Sequence, residues 1–295
     1  MSENKKIIPK TPDVVDFEEN GITVLNNIIY GYTEDCDLRA DCFWDDANQE
    51  TKPLIIWIHA GGLTELTSTR KTRPESAFYQ LVKKGYFVAS IDYRLAQVRP
   101  FPAALEDCKC AVRYFRSHAA KYNIDPNRIG VWGGSVGGQM AGLLAVQGGI
   151  AEYENKGGWN DVSSDIQAAV SWYGGLSFKT FIELRKDTCE EQERGFASFR
   201  DRFQFTYGGT IEEKQDLIEK IDPMSYVTRK FAPMLAMCSD SDPRIGEDVS
   251  KKFCEIACQN GNNIIYSTAP GQGHGFFKGE EFYEQVYNHF DQYLK

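Results

Sequence analysis

Histidine is scarce in this chain, with four in 295 residues, and the eight cysteines include no C-x-x-C pair. Without ligand pairs at metal-binding spacing, a structural zinc site finds no support. Cys36, Cys42, Cys108, Cys110, Cys189, Cys238, Cys254 and Cys258 read instead as reduced thiols, several on core elements. Positive charge is also in deficit: 33 Lys and Arg stand against 42 Asp and Glu, a formal net charge of -9. That balance opposes attraction to phosphate backbones and anionic lipid, so nucleic acid and membrane surfaces are poor partners. No apolar run reaches the roughly 18 to 20 residues that span a bilayer. The N-terminal MSENKKIIPKTPDVVDFEEN lacks the apolar centre of a secretion signal, and the expectation is a soluble cytoplasmic protein. There is no Pro/Ser/Gly-rich linker and no internal repeat, so residues 1–295 read as one domain.

What is present is an alternation. LIIWIHA (54–60), YFVASIDY (86–93), RIGVWG (128–133), IQAAVSWYG (166–174), PMLAMCSD (233–240) and NIIYSTAP (263–270) are short apolar runs that predict buried parallel strands. Between them lie helical patterns, the clearest over Phe101 to Tyr122, where apolar residues recur at steps of three and four before Asp125-Pro126-Asn127 breaks the chain. NNIIYGY and LRADCFW upstream predict an antiparallel pair added at the sheet edge. The fold class is therefore α/β, a mostly parallel sheet of about eight strands flanked by helices. The interval of about 177–231 is too long for a plain crossover and is mostly helical by composition, which predicts a cap insertion over a site.

Gly133-Gly134-Ser135-Val136-Gly137 fits G-x-S-x-G between a predicted strand and a predicted helix. Side chains flanking so tight a turn would collide with the strand and helix, so glycines there let the backbone lift Ser135 out of the sheet edge. G-x-G-x-x-G fails at this turn and no P-loop lysine follows. A nucleophilic serine needs a base. Of the histidines, His118 and His289 fall inside helical patterns and read as surface or half-buried residues. His274 lies in APGQGHGFF, a loop directly after the last strand, on the side of an open sheet where ligands bind. CSDSDPRIGED, after the preceding strand, offers Asp240, Asp242, Glu247 and Asp248 to orient that base; Asp242 is favoured because it lies out on the loop, with Asp240 closing the turn. The order Ser135, Asp242, His274 is that of the α/β-hydrolases. His59-Ala60-Gly61-Gly62 ends a strand, so the backbone N–H groups of Gly61, Gly62 and Val136 form a candidate oxyanion hole, with His59 bracing the loop. Leu63, Trp172, Tyr173 and Phe276 are candidate substrate contacts by their place beside these segments. Phe196, Phe199, Phe203, Phe205 and Tyr207 in the insertion read mainly as cap core.

On IIWIHAGG, the long stretch from VASIDYRL to VWGGSVGG, YGGTIEEKQDLIEKIDPMSYV and PGQGHGFF, the chain resembles the carboxylesterase branch of the α/β-hydrolase fold, the hormone-sensitive-lipase-like esterases. It is most similar there to the bacterial acetylxylan and feruloyl esterase-like subgroup. The resemblance implies a serine esterase with a small-molecule ester substrate, a helical cap and no cofactor or metal, and it is compatible with a homodimer. Three segments depart from the pattern. Ala60 replaces the first glycine of H-G-G-G, Gly134 and Val136 replace an acidic residue and an alanine, and Cys238-Ser239 replaces His-Gly. An amidase, peptidase or arylformamidase on the same three residues is an alternative, as is a non-catalytic ligand-binding homologue, although such proteins typically lack the histidine.

Overall fold

Residues 54 to 58 and 87 to 91 are buried at every position, as strands covered on both faces must be. The computed structural model of the protein describes residues 16–154, 156–188 and 195–295. Its strands are β1 (Thr23–Tyr32), β2 (Asp37–Trp44), β3 (Lys52–Ile58), β4 (Phe87–Ile91), β5 (Ile124–Gly134), β6 (Ala168–Trp172), β7 (Met234–Cys238) and β8 (Ile264–Thr268). They form one eight-stranded sheet in the order β1-β2-β4-β3-β5-β6-β7-β8. β1 and β2 pair antiparallel, β2 meets β4 antiparallel, and every pairing from β4 to β8 is parallel.

Helices fill the connections: α1 (Glu75–Lys83), α2 (Ala103–Ser117), α3 (Ala119–Tyr122), α4 (Val136–Val146), α5 (Phe178–Arg185), α6 (Phe199–Tyr207), α7 (Gln215–Lys220), α8 (Glu247–Gln259) and α9 (Glu280–Leu294). The predicted helix over 101–122 is in fact two. The Ser117 hydroxyl donates to the carbonyl of Tyr114 at 2.9 Å and the His118 ring contacts the same oxygen at 2.9 Å, side-chain bonds that compete with the helical ladder where it breaks. β5 also starts earlier than expected. The ladder pairs Lys52 with Ile124 and then jumps to Leu54 with Ile129, so Asp125-Pro126-Asn127 bulges out of a continuous strand instead of preceding it. Pro126 has no N–H to give a ladder, which is why the bulge falls there.

The sheet divides the core in two. On one face Trp57, Trp132 and Trp172 from β3, β5 and β6 pack edge to face, with ring centroids 5.0 and 4.8 Å apart, in the same cluster as Val286 and Phe290 of α9. On the other, Ile56 and Val131 share a cluster with Leu105 and Phe115 of α2 and Met140 of α4. α5, α6, α7 and a 3-10 turn (Pro223–Tyr226) all lie between β6 and β7, within the interval read as an insertion.

One buried charge cluster fixes the loop that leaves β3. Asp41 of β2 accepts Arg70 Nε at 2.7 Å and the Asn27 amide at 3.0 Å on one oxygen, and Arg73 Nη1 at 3.1 Å on the other. Arg70 also gives its amide to Asp92 at 2.7 Å, and its carbonyl accepts the Ser90 hydroxyl at 2.6 Å. Burial pushes the Asp41 carboxyl up, but the Arg70 bond, the Asn27 amide and the two arginine charges outweigh it and hold the group below the usual carboxylate range. A depressed carboxylate stabilises the fold at neutral pH, and that contribution disappears as pH falls through its folded-state value. Asp41→Asn removes the carboxylate that Arg70 and Arg73 share and leaves them only Asp92 and Glu75, and should cost about 2 to 3 kcal/mol at pH 7. The gap to wild type should close in acid as Asp41 itself protonates. Urea unfolding at neutral and acidic pH measures it, and a gap constant with pH would contradict this account.

Candidate active site

The loops after β3, β5, β7 and β8 leave the sheet at the same edge, the carboxyl ends of the parallel strands, where open α/β sheets build their sites. Ser135 sits between β5 and α4 with φ 55° and ψ -119°, a left-handed φ that a residue with a side chain rarely adopts. Its N–H donates to the Trp172 carbonyl at 2.9 Å, and its own carbonyl accepts the Gln139 amide at 3.0 Å as α4 begins. Two glycines permit this turn by having no Cβ. One on Gly133 would lie 2.2 Å from the Gly137 carbonyl oxygen, and one on Gly137 would lie 2.1 Å from that of Ile58.

The turn presents the Ser135 Oγ to His274, whose Nε2 is 2.9 Å away. On the other side of the ring, Nδ1 is 2.8 Å from Asp242 Oδ2. Asp242 spends its second oxygen on the amides of Arg244 and Ile245, at 2.8 and 3.1 Å. Its side chain is wholly covered, whereas 12% of the His274 side chain is exposed. Burial raises the Asp242 carboxyl, yet the His274 bond and charge and the two amides prevail and keep it below the usual carboxylate range. An ionised Asp242 therefore faces a protonated Nδ1, which leaves Nε2 free to accept the Ser135 hydroxyl proton.

The other acids after β7 do different work. Asp240 accepts the Gly271 amide at 2.8 Å, and the Ser239 hydroxyl oxygen accepts that of Gly273 at 3.0 Å, so the two residues preceding the acid loop hold the loop that carries His274. Glu247 accepts from the hydroxyls of Tyr266 and Thr268, and Asp248 is exposed on α8. The Cys238 thiol, 3.9 Å from Asp242 Oδ2, is pushed up to about 12 by burial and by the Asp242 charge, so it stays protonated. Seven cysteines are free thiols, and Cys189 lies outside the described residues.

Gly62, Leu63 and Val136 line a cavity of about 70 Å³ that also exposes Ser135 and His274. Gly61 stands one residue back, packed on Ser68, and its carbonyl accepts the amides of Thr64 and Glu65. Ala60 is not among the residues with positive φ, so the departure from H-G-G-G costs no strain. His59 is buried with its Nδ1 2.6 Å from the Ala60 carbonyl and its ring stacked on Tyr93 at 4.2 Å. Burial pulls it down to about 4 against the pull of the Ala60 bond, so it is a neutral strut in the loop. His289, expected at the surface or half-buried, is instead buried on α9 and likewise lowered to about 4, chiefly by desolvation. His118 is only partly covered, stacked on Tyr114 at 4.3 Å.

Of the expected substrate contacts, only Leu63 lines the cavity. Trp172 points to the opposite face of the sheet, into the tryptophan row, because strand residues alternate between faces. Phe276 stacks on Trp57 at 5.9 Å. Tyr173 packs edge-on against His274 at 5.0 Å, and its hydroxyl occupies the space a Gly134 side chain would need, 2.4 Å from the position of a Cβ there. It supports the histidine instead of touching the cavity. The insertion's aromatics divide: Phe199, Phe203 and Tyr207 are both buried and part of the cavity wall, while Phe196 and Phe205 pair with each other. Gln139 on α4, and Arg185, Arg202 and Arg244, also line the cavity and were not singled out from the sequence.

The BD-FAE family model matches residues 40–256, which include Ser135 and Asp242 and stop short of His274. The chain belongs to the BD-FAE family. It is 26% identical over 234 residues to Esterase LipC of Mycobacterium tuberculosis, covering 79% of this chain and 56% of that one. To Carboxylesterase NlhH of the same organism it is 31% identical over 115 residues, 39% of this chain and 35% of NlhH. The chain thus spans about half or less of these curated relatives. Among solved structures, a truncated carbohydrate esterase from gut microbiota superposes with a TM-score of 0.73 at 23% identity, over 92% of this chain and 95% of that one. Propionate-bound esterase Est2 of Thermogutta terrifontis gives 0.70 at 20% identity, over 96% and 93%. These likenesses place this BD-FAE member in the α/β-hydrolase fold. Because the turn at Ser135 tolerates no Cβ on Gly137, Gly137→Ala should lower stability by about 3 kcal/mol or more. A chemical denaturation midpoint equal to wild type would show that the turn can shift without cost.

Proposed function

We propose that the protein is a serine carboxylesterase acting on short-chain or hydroxycinnamoyl esters, carbohydrate-linked ones included, through an acyl-enzyme. The observation that carries this reading is the unbroken set of bonds from Ser135 through His274 to Asp242, 2.9 and 2.8 Å, opening on a lined cavity. The relatives named esterases support it. Ser135 Oγ attacks the ester carbonyl carbon as its proton passes to His274 Nε2, and Asp242 holds the resulting imidazolium in place. The carbonyl oxygen becomes an oxyanion, to which this reading assigns the N–H groups of Gly61, Gly62 and Val136 as donors, the last at the positive end of α4. Collapse expels the alcohol, which takes the proton from His274. Water, deprotonated by the same nitrogen, then attacks the acyl carbon, the bond to Ser135 Oγ breaks as that oxygen takes the proton back from His274, and the carboxylic acid leaves. The insertion of about 177–231 serves as the cap, supplying the aromatic wall of the acyl pocket.

Ser135→Ala and His274→Ala should each lower kcat by something on the order of 10⁶, with the double variant little worse, because neither group works alone. Ester hydrolysis that kept a tenth of the wild-type rate in Ser135→Ala would refute the mechanism. Acyl size is the second expectation. The cavity is small, and Val136 puts two methyl groups beside the nucleophile, so acetate to butyrate esters should be hydrolysed well above octanoate. Val136→Ala should widen tolerance by no more than about 1 to 3 kcal/mol, the worth of a methylene-scale change. The p-nitrophenyl series decides it: an optimum at eight carbons in the unmutated protein would show that side of the pocket to be open.

A further inference from the structure

Two neutral polar side chains in the wall of the cavity over Ser135 have no partner among the described residues. Thr206, on α6, is 2% exposed, and its hydroxyl is buried without a hydrogen bond. A threonine inside a helix ordinarily returns its hydroxyl to a carbonyl three or four residues back, and Thr206 does not. Gln139, on α4, is 9% exposed and lines the same cavity, and among the described residues none hydrogen-bonds its side-chain amide. Native proteins leave few buried polar groups unpaired, so two in one cavity wall call for a partner that arrives there.

Both residues are held in place by their backbones. The Gln139 amide donates to the Ser135 carbonyl at 3.0 Å, which sets its side chain one turn of α4 from the nucleophile, next to Val136 on the helix surface. The Thr206 carbonyl accepts the Phe101 amide at 2.9 Å, which ties α6 to the loop before α2, and Phe203 and Tyr207 flank it in the cavity wall. Apart from these two residues, Ser135, His274 and the three arginines, the described residues of the wall are glycines, aliphatics and aromatics. In so apolar a surround a hydrogen bond is stronger and an unmade one costs more.

An amide offers a carbonyl acceptor and N–H donors, and a threonine hydroxyl both gives and accepts. One ligand atom that answers both residues is a hydroxyl oxygen, donating to one and accepting from the other. A carbonyl can only accept, and an ionised carboxylate has no proton for the Gln139 carbonyl oxygen. Four residues of helix advance about 6 Å, so a group reached by Gln139 lies a few bonds from the carbonyl that Ser135 attacks. Val136 and the cap aromatics, in the same wall, are the side assigned above to the acyl group.

Resting on the esterase reading above, we infer that the preferred acyl group carries a hydroxyl close to the ester, as a 3-hydroxyacyl chain does, and that Gln139 and Thr206 hold that hydroxyl while Ser135 attacks. The aliphatic and aromatic wall packs on the rest of the chain.

The test exchanges a hydroxyl for a methyl group of nearly the same size. Methyl (R)- and (S)-3-hydroxybutyrate are compared with methyl 3-methylbutyrate, and 2-hydroxyethyl butyrate with propyl butyrate, which moves the hydroxyl to the alcohol. Rates are read by pH-stat and divided by the rate of each ester with hydroxide. One enantiomer of the hydroxybutyrate should exceed 3-methylbutyrate in kcat/KM by roughly tenfold or more, because a site built around a hydroxyl rejects the analogue that leaves its polar groups unpaired. Gln139→Met and Thr206→Val should each lower that ratio by about three- to tenfold. Thr206→Val removes an unpaired hydroxyl and keeps the shape, so the denaturation midpoint of the free protein should stay at or above that of wild type.

A lower midpoint would show that the hydroxyl is bonded within the protein and would overturn the inference. So would ratios at or below one for both enantiomers, a ratio untouched by either substitution, or a preference confined to 2-hydroxyethyl butyrate. If Ser135 were still labelled by a fluorophosphonate in those cases, the esterase reading would stand without it. If no ester were hydrolysed and no label taken up, that reading would fail, and the thermal midpoints of wild type and Gln139→Met with each methyl 3-hydroxybutyrate would judge the polar pair alone. A stabilisation reduced by the substitution supports a hydroxyl site; none, or an equal one, overturns it.

Discussion

The positive φ of Ser135 is the constraint on which the rest of the site depends. A serine held at φ 55° between a strand and a helix is unfavourable in isolation. It persists because β5 is locked between β3 and β6 and α4 packs directly on the strand ends, so close that no Cβ fits at Gly133 or Gly137. That packing does two things at once. It lifts the hydroxyl clear of the sheet edge toward His274, and it brings Val136, the first residue of α4, into the wall of the same cavity. The strained residue and the placement of the helix end are consequences of one close contact.

Much of this was legible in the sequence because the relevant signals are local. Apolar runs of strand length, glycines around one serine, and a histidine in a Gly-rich loop after the last strand each have a short-range physical meaning, and together they indicate the sheet and bring Ser135, Asp242 and His274 to one edge. What escaped was everything that depends on which way a side chain turns. Trp172 and Phe276 are near the site in chain position, but they face the α9 side of the sheet and stack within its aromatic core. Tyr173 supports His274 from behind, a role set by the missing side chain of Gly134 and invisible without the contact. Asp125-Pro126-Asn127 carried a strong break signal, yet neighbouring strand pairing absorbed it as a bulge. The arginines of the cavity left no trace, since a charged residue on an amphipathic helix reads as solvated until the tertiary structure shows what it lines.

Two groups of arginines illustrate how context decides the use of a guanidinium. Arg70 and Arg73 are drawn inward by Asp41, and their bonds serve to hold a loop. Arg185, Arg202 and Arg244 stand instead in the wall of the cavity over Ser135. The first arrangement positions the backbone that carries Gly61 and Gly62; the second forms part of the wall that an entering molecule meets.

Ser135 and His274 lie 139 residues apart in sequence, and the loops that carry them are separated in the sheet by β6 and β7. No contiguous stretch of chain contains the site, and no early local event in folding can assemble it. The reacting groups meet only when β5 through β8 have all paired in register, long-range parallel pairings of the kind that form slowly. Under the proposed mechanism, reactivity at Ser135 is therefore a property of the completed sheet. Its appearance during refolding marks the closing of the last strands, and a chain cut short before β8 would present the serine with nothing to take its proton.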